Sequence, residues 1–321
     1  MTANVKFWRY LSDGIARSFT GAGFLPTIAI SHAVANYTSM ALTHADIQPN
    51  GTINFAGNIL AGVTANAFIS LDADGLSIGT HIIINENIGD PYNIHYMAAL
   101  AGDDISYGIY TGNGANRNIA LPFTAGLVIC HAHVYAAPAR RSPYARHKDM
   151  AGTDSWAIEG SQAVIADGIT ALGANQFSLG VNTLVNQNAQ DYSYLAFKDG
   201  GDVAYGNYAG DNTADRLITT PSQPRFIWVL ANRNTGLSDW GSYKYDNMPG
   251  VHSALMFGVG GGGTDDLFSS YIRAITSSGF RVGHSAGGGF VDGDVLNLSG
   301  WTYYWMTIGG GAGARAYSIV Y

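Results

Sequence analysis

The sequence predicts an all-β protein made of three tandem antiparallel β-sandwich modules, jelly-roll-like in character. Three observations carry that expectation. A segment recurs at 76–99, 177–197 and 280–308, and each copy opens with an apolar residue, a polar one, an aliphatic one and a glycine (Leu76 to Gly79, Phe177 to Gly180, Phe280 to Gly283). Each then passes through an Asn-bearing turn and closes on an aromatic-rich alternating run, and self-similarity at a fixed period decides architecture before any single residue does. Charged residues are only 12% of the chain, with four lysines and two glutamates (Glu86, Glu159), so the residues that clothe exposed helix faces are scarce. Short β-rich runs separated by turn signals, without a convincing amphipathic helix, point the same way.

In chain order, residues 1–18 lie outside the repeat, and their Phe7, Trp8, Tyr10, Leu11 and Ile15 suit a cap on the first module or a docking segment. The opening Phe19-Thr20-Gly21-Ala22-Gly23 matches Tyr110-Thr111-Gly112-Asn113-Gly114 and Tyr208-Ala209-Gly210-Asp211-Asn212, with starts 91 and 98 residues apart. The closing aromatics Tyr96, Tyr194 and Trp305 are 98 and 111 apart, which sets modules at 19–104, 105–203 and 204–321. After each opening comes a short apolar run: Thr27 to Ile30, Leu127 to Cys130, and Phe226 to Leu230. These runs read as buried strands, and Pro26, Pro122 and Pro224 at their entrances fit, because proline cannot donate to a ladder further in. Later strands are expected at Ala67 to Leu71 and Ile272 to Thr276, and Ser161 to Leu172 reads as one helical turn or two.

The net charge of −7 with no basic run excludes an electrostatic footprint for nucleic acid or an anionic membrane. No apolar run approaches the roughly 18 residues of a membrane span, so no membrane insertion is expected. The N-terminus has no signal-peptide pattern, and production in a cytoplasm is expected. The single cysteine, Cys130, cannot form an internal disulfide and reads as a small buried apolar residue.

Gly283-His284-Ser285-Ala286-Gly287 matches the hydrolase elbow G-x-S-x-G, but Gly288-Gly289 follow instead of a helix start and no histidine comes after His284. The match lies inside the repeated turn, which explains it without catalysis. His131 and His133 share one strand face at metal-ligand spacing but lack a visible third ligand. Asp265-Asp266 and Asp292-Gly293-Asp294 lack calcium-loop periodicity and read as turn acids. Gly260 to Gly263 is not followed by the GK[ST] of a phosphate-binding loop. With 21 aspartates, a carboxylate pair suited to glycoside hydrolysis arises by chance and carries no weight. No catalytic residue, metal or cofactor is expected.

What remains is aromatic and amide chemistry. Trp156, Trp240, Tyr243, Tyr245 and Trp301 read as lying in or beside loops, with Arg141 and Asp239 as polar neighbours. An exposed ring gives a flat apolar platform while adjacent polar groups hydrogen-bond hydroxyls, which suits a glycan or a protein interface. Trp228, inside an apolar run, reads as core.

The series YTGNG, LPF with its apolar strand, FSLG, the Asn-rich turn and DYSYLAF resembles tandem repeat modules in structural proteins of tailed bacteriophages and phage-like particles. The resemblance covers residues 19–310 and is best in the second module. It implies a non-enzymatic virion protein, a tail fibre or head spike, assembled in a bacterial cytoplasm with other virion proteins and binding host-surface polysaccharide or receptor through loops. It also implies a homo-oligomer, for which a closed trimer is the expected symmetry. A capsid decoration or tail adaptor is the alternative, and a capsule-degrading hydrolase the third.

Overall fold

A computed structural model describes residues 4–33, 40–47, 51–54, 63–85, 94–133, 143–158, 164–232, 241–246, 248, 253–255, 267–268, 271–283, 296–309 and 317–319. The chain is all-β, built from antiparallel sheets. The first module contains β1 (Asn4–Leu11), β2 (Arg17–Phe19), β3 (Ile28–Ala33), β4 (Met40–His44), β5 (Thr52–Asn54), β6 (Val63–Thr64), β7 (Phe68–Asp72), β8 (Gly75–Ile78), the single turn α1 (Ile82–Asn85) and β9 (Ile94–Ala101). The second contains β10 (Ile105–Thr111), β11 (Arg117–Ala120), β12 (Ala125–Ala132), β13 (Tyr144–His147), β14 (Trp156–Ala157), β15 (Ile169–Gly173), β16 (Gln176–Leu179), α2 (Thr183–Asn186) and β17 (Asp191–Lys198). The third contains β18 (Val203–Ala209), β19 (Arg216–Thr219), β20 (Pro224–Asn232), β21 (Gly241–Tyr245), β22 (Ser253–Leu255), β23 (Leu267–Phe268), β24 (Ile272–Thr276), β25 (Gly279–Val282) and β26 (Thr302–Gly309). A last strand, β27 (Tyr317–Ile319), returns to the first module.

Each module pairs a larger sheet with a three-stranded one. The larger sheets run β27-β1-β9-β3-β4-β5-β6, β10-β17-β12-β13-β14 and β18-β26-β20-β21-β22-β23; the smaller run β2-β8-β7, β11-β16-β15 and β19-β25-β24. The common order, first strand against last and last against third, shows three copies of one topology. It also corrects the expected module start: residues 4–11 are no cap but the strand equivalent to β10 and β18, paired with β9 from Asn4↔Ala101 to Leu11↔Ile94. The expected short helix over 161–172 is also corrected, since Ile169–Gly173 is a strand whose ladder partner is β16.

The continuous apolar runs are strands buried on both faces. Successive side chains of a strand point to opposite sides, so Leu127 and Ile129 enter a central cluster while Val128 and Cys130 enter the core of their own sandwich. In the third module Phe226, Trp228 and Leu230 go to the centre and Ile227 and Val229 to the sandwich. The first repeats this with Ile28 and Ile30 against Ala29. The inward faces of all three larger sheets therefore share one apolar core, and each module keeps a second core of its own. Both Trp8 and Trp228 are buried.

The seams between modules repeat in one sense round the molecule. His44, His147 and Tyr245 occupy equivalent ends of β4, β13 and β21, opposite Ile28, Leu127 and Phe226. Each reaches the next module's first strand: His44 meets Tyr107 with ring centroids 5.4 Å apart, His147 meets Tyr205 at 5.4 Å, and Tyr245 stacks on Phe7 at 4.9 Å. Module one thus contacts two, two contacts three, and three contacts one. The arrangement is a closed pseudo-threefold ring within one chain.

The Asn-bearing turn is a clasp. In each module a buried asparagine (Asn85, Asn186, Asn297) donates from Nδ2 back into the module's opening loop, to the carbonyls of Ile15, Ala115 and Thr213 at 2.7 Å each. Asn85 and Asn186 also donate to Gly79 and Gly180 of the preceding hairpin, at 2.7 and 2.8 Å. Tyr10, Tyr110 and Tyr208 donate to the carbonyl just before that asparagine, on Ile84, Val185 and Leu296. Arg17, Arg117 and Arg216 lie over those tyrosine rings at 5.8, 5.8 and 5.2 Å. The true opening of the first module is therefore Tyr10-Leu11-Ser12-Asp13-Gly14, not Phe19 to Gly23, and Phe19 is a core residue of β2.

The closing aromatics have a packing reason. Tyr194 lies opposite Gly108 and Trp305 opposite Gly206. A Cβ on Gly206 would come within 2.5 Å of the Trp305 indole, and one on Gly108 within 2.7 Å of the Tyr194 ring. The strand glycine makes room for a cross-strand ring. In module one the bulk is exchanged: Trp8 sits on the first strand and Met97, not the expected Tyr96, faces it.

Candidate functional site

The ring has two unlike ends. Linkers 101–105 and 198–203 lie where β9, β17, β10 and β18 meet, at one end. The connections β3 to β4, β12 to β13 and β20 to β21 leave from equivalent strand ends at the other, because the three sheets are related by the pseudo-threefold rotation. Loops carried on rigid strands are where binding residues concentrate.

Of the candidate residues, Arg141, Asp239 and Trp240 belong to two of these connections and lie outside the described residues. Trp156, Tyr243 and Tyr245 are described, and their expected exposure is corrected: they are 5%, 1% and 0% exposed. Gly-Ser-Tyr-Lys-Tyr is β21, an alternating strand with both tyrosines toward the central core and Ser242 and Lys244 on the opposite face, also buried. Burial lowers the Lys244 ammonium to about 8. Trp156 lies on β14 and meets Tyr304 of the third module edge to face at 4.7 Å. Trp156 and Tyr245 hold seams together, and Tyr243 belongs to the central core. Trp301 is half-buried against the third sandwich core.

A polar cluster lies between modules one and two, where Ser193 Oγ sits 2.9 Å from His44 Nε2 and 2.6 Å from His133 Nε2. A serine hydroxyl has one proton and two lone pairs, so at least one of the two imidazoles donates to it. Burial, then the neighbouring His133, lowers His44 to about 3; burial lowers His133 also, opposed by the Asp191 carboxylate. Both rings are neutral at pH 7. Ser193 has a base beside it but is 2% exposed, so its hydroxyl is closed to a substrate and works as a link between modules.

His131 and His133 do not converge on a common centre: His133 spends Nε2 on Ser193, and His131 is buried at the ladder position opposite it. Among the described residues no group of three or more His, Cys, Asp or Glu is placed to hold a metal ion. Burial pushes the Cys130 thiol up to about 12. Gly283, which opens the G-x-S-x-G match, has φ +86° and is the hairpin glycine of the third clasp; Ser285, like Asp265, Asp266, Asp292 and Asp294, lies outside the described residues. No helix among the described residues is long and apolar enough to cross a membrane.

The residues missed by sequence reasoning are the clasp asparagines and His44, His147 and Ser193 at the seams. The asparagines had a signal, since Ile84-Asn85, Val185-Asn186 and Leu296-Asn297 recur at the same place. The seam residues had none, because they differ from module to module. Comparison of the chain with protein-family models and with curated proteins finds no match to either.

Proposed function

We propose that the protein is a non-enzymatic structural component of a phage or phage-like particle, a tail fibre or head spike. In this reading it binds host-surface glycan or receptor through the connections at the end of the ring opposite the linkers. The observation that carries it is the equivalent placement of three strand-to-strand connections on one scaffold, two of which contain Arg141, Asp239 and Trp240. A ring with a shared core holds those connection ends at fixed mutual positions, which lowers the ordering cost of a multipoint contact. The low charge and the resemblance of the repeated segments to phage structural modules support the same reading.

The test is adsorption of the purified chain to candidate bacterial cells and to a glycan array, with Trp240→Ala and Arg141→Ala beside it. The expected result is saturable binding that both substitutions weaken about tenfold or more, as for an aromatic or arginine anchor. Binding to no cell and no glycan overturns the receptor reading. Release of reducing sugar from host capsule would point to a hydrolase instead.

A further inference from the structure

The first strand of each module borders its larger sheet, and among the described strands only one of the three is covered on its outer side. β1 carries β27 there in parallel, with Phe7 opposite Tyr317, Trp8 opposite Ser318 and Arg9 opposite Ile319. β10 and β18 end their sheets. In an antiparallel ladder alternate residues turn N–H and C=O toward the neighbouring strand, and the residues between turn theirs away. Lys198 N donates to Asp104 O at 2.9 Å and Gly112 N to Gln190 O at 2.7 Å, so the even-numbered residues of β10 face β17 and the odd-numbered ones face outward. Of the outward groups, Ile105 N–H is donated to Gly102 O at 3.4 Å and Thr111 O accepts from Arg117 Nη1 at 2.6 Å. The N–H and C=O of Tyr107 and Ile109 have no hydrogen-bond partner among the described residues. With Tyr110 equivalent to Tyr10, these two residues stand where Phe7 and Arg9 stand on β1, the pair that flanks Ser318.

Composition singles out β10. Its sequence, Ile-Ser-Tyr-Gly-Ile-Tyr-Thr, has no charge and no proline to guard the edge. Ile109 is 43% exposed, an apolar side chain on that open edge. On β18 the equivalent residue is Asn207, whose Nδ2 donates to Asp149 Oδ2 at 3.3 Å, so the apolar contact is lacking there. The turn after β4 does not set β10 apart from β1. Ile47 and Met248 each follow their seam residue, His44 or Tyr245, by three positions and pack with the same central cluster, and β27 lies beside β1 with Met248 in place. The C-terminal strand of a second copy is a poor occupant, because its own tether holds it at its own β1 with an effective concentration of about millimolar. We propose that the β10 edge docks an extended segment of a partner protein, added in parallel, with two bulky apolar side chains two positions apart beside Tyr107 and Ile109. Main-chain bonds to the edge supply affinity in such an addition, and alternate side chains supply specificity. The proposal goes beyond the reading above and does not depend on it, since no glycan takes part.

The probe is a synthetic peptide with the sequence of residues 314–321, Ala-Arg-Ala-Tyr-Ser-Ile-Val-Tyr, because its Tyr-Ser-Ile is the segment that lies on the equivalent edge of β1. Amide NMR of the isotope-labelled full chain should show saturable shifts at Tyr107, Gly108 and Ile109, with a Kd on the order of 0.1 mM. A peptide N-methylated at its serine loses the N–H that would meet Tyr107 O and should bind about tenfold more weakly or worse. Ile109→Pro removes an outward N–H while leaving the ladder to β17 intact, a place where an edge strand tolerates proline. The variant should fold and bind the unmodified peptide about tenfold more weakly. No shift at residues 107–109, shifts confined to β1, or equal binding of the methylated peptide overturns the proposal. Sedimentation showing self-association of the chain alone, abolished by Ile109→Pro, also overturns it, because the edge then belongs to a second copy.

Discussion

Replacing Asn186 by alanine tests the clasp that defines each module. The side chain is fully buried; it donates to Gly180 O at 2.8 Å and Ala115 O at 2.7 Å and accepts from Asn113 N at 3.0 Å. Alanine leaves Gly180 O without this donor in a buried place, at a cost of about 1–3 kcal/mol. The two loop partners are part-buried and regain some hydration, so each costs about 0.5–1.5 kcal/mol. Alanine's better helix propensity returns less than about 0.7 kcal/mol in the single turn of α2. The expected loss is thus about 2–5 kcal/mol, a sizeable part of an ordinary domain stability of about 5–15 kcal/mol. Guanidinium unfolding at pH 7 should show a lower midpoint with an unchanged slope. A loss under about 1 kcal/mol would refute the view that the clasp, rather than the apolar strands alone, fixes the hairpin against the opening loop. Asn85→Ala should fall in the same range, because its bonds are the same in kind.

Two further outcomes follow from the buried groups. His44 is held at about 3 and His147 at about 4, both depressed chiefly by burial, so the unfolded chain binds protons that the folded chain does not. The contribution of these two histidines should therefore be fully present above about pH 7 and be lost as pH drops from the unfolded value of about 6.5 toward those folded values, by about 3 kcal/mol per histidine at pH 4. His44→Gln should flatten that slope, and a stability unchanged between pH 7 and 4.5 would contradict the assignment. Cys130 is 1% exposed with its thiol raised to about 12, so iodoacetamide at pH 8 should label it only after denaturation, by mass spectrometry. Labelling of the native protein within minutes would place that strand elsewhere.

The all-β class, the repeat and the central strands were legible because glycine, asparagine and paired apolar runs meet requirements that differ by residue type. A turn glycine at Gly79, Gly180 and Gly283 and an asparagine at Asn85, Asn186 and Asn297 leave the same letters in each copy. The first module's opening was misaligned because Tyr10-Leu11-Ser12-Asp13-Gly14 resembles Tyr110-Thr111-Gly112-Asn113-Gly114 less closely than Phe19-Thr20-Gly21 does. What is preserved there is hydrogen bonding: Asp13, Asn113 and Asp211 each accept from the backbone two residues on. Trp156, Tyr243 and Tyr245 were read as exposed because their polar neighbours mark a surface strand in an ordinary sandwich. Periodicity reports that a strand has two faces; it does not report that a second module covers the outer one.

Open arrays of repeats can gain or lose a unit at little cost, because each unit touches only its neighbours and the ends are capped. The closure through Tyr245 on Phe7, with β27 laid parallel to β1, forbids that here. A fourth module has no place at a centre filled by three, and deleting one would strip the Phe197–Trp228 side of the core from its partners. Copy number is thus fixed by geometry, while equivalent seam positions differ from copy to copy, as at His44, His147 and Tyr245.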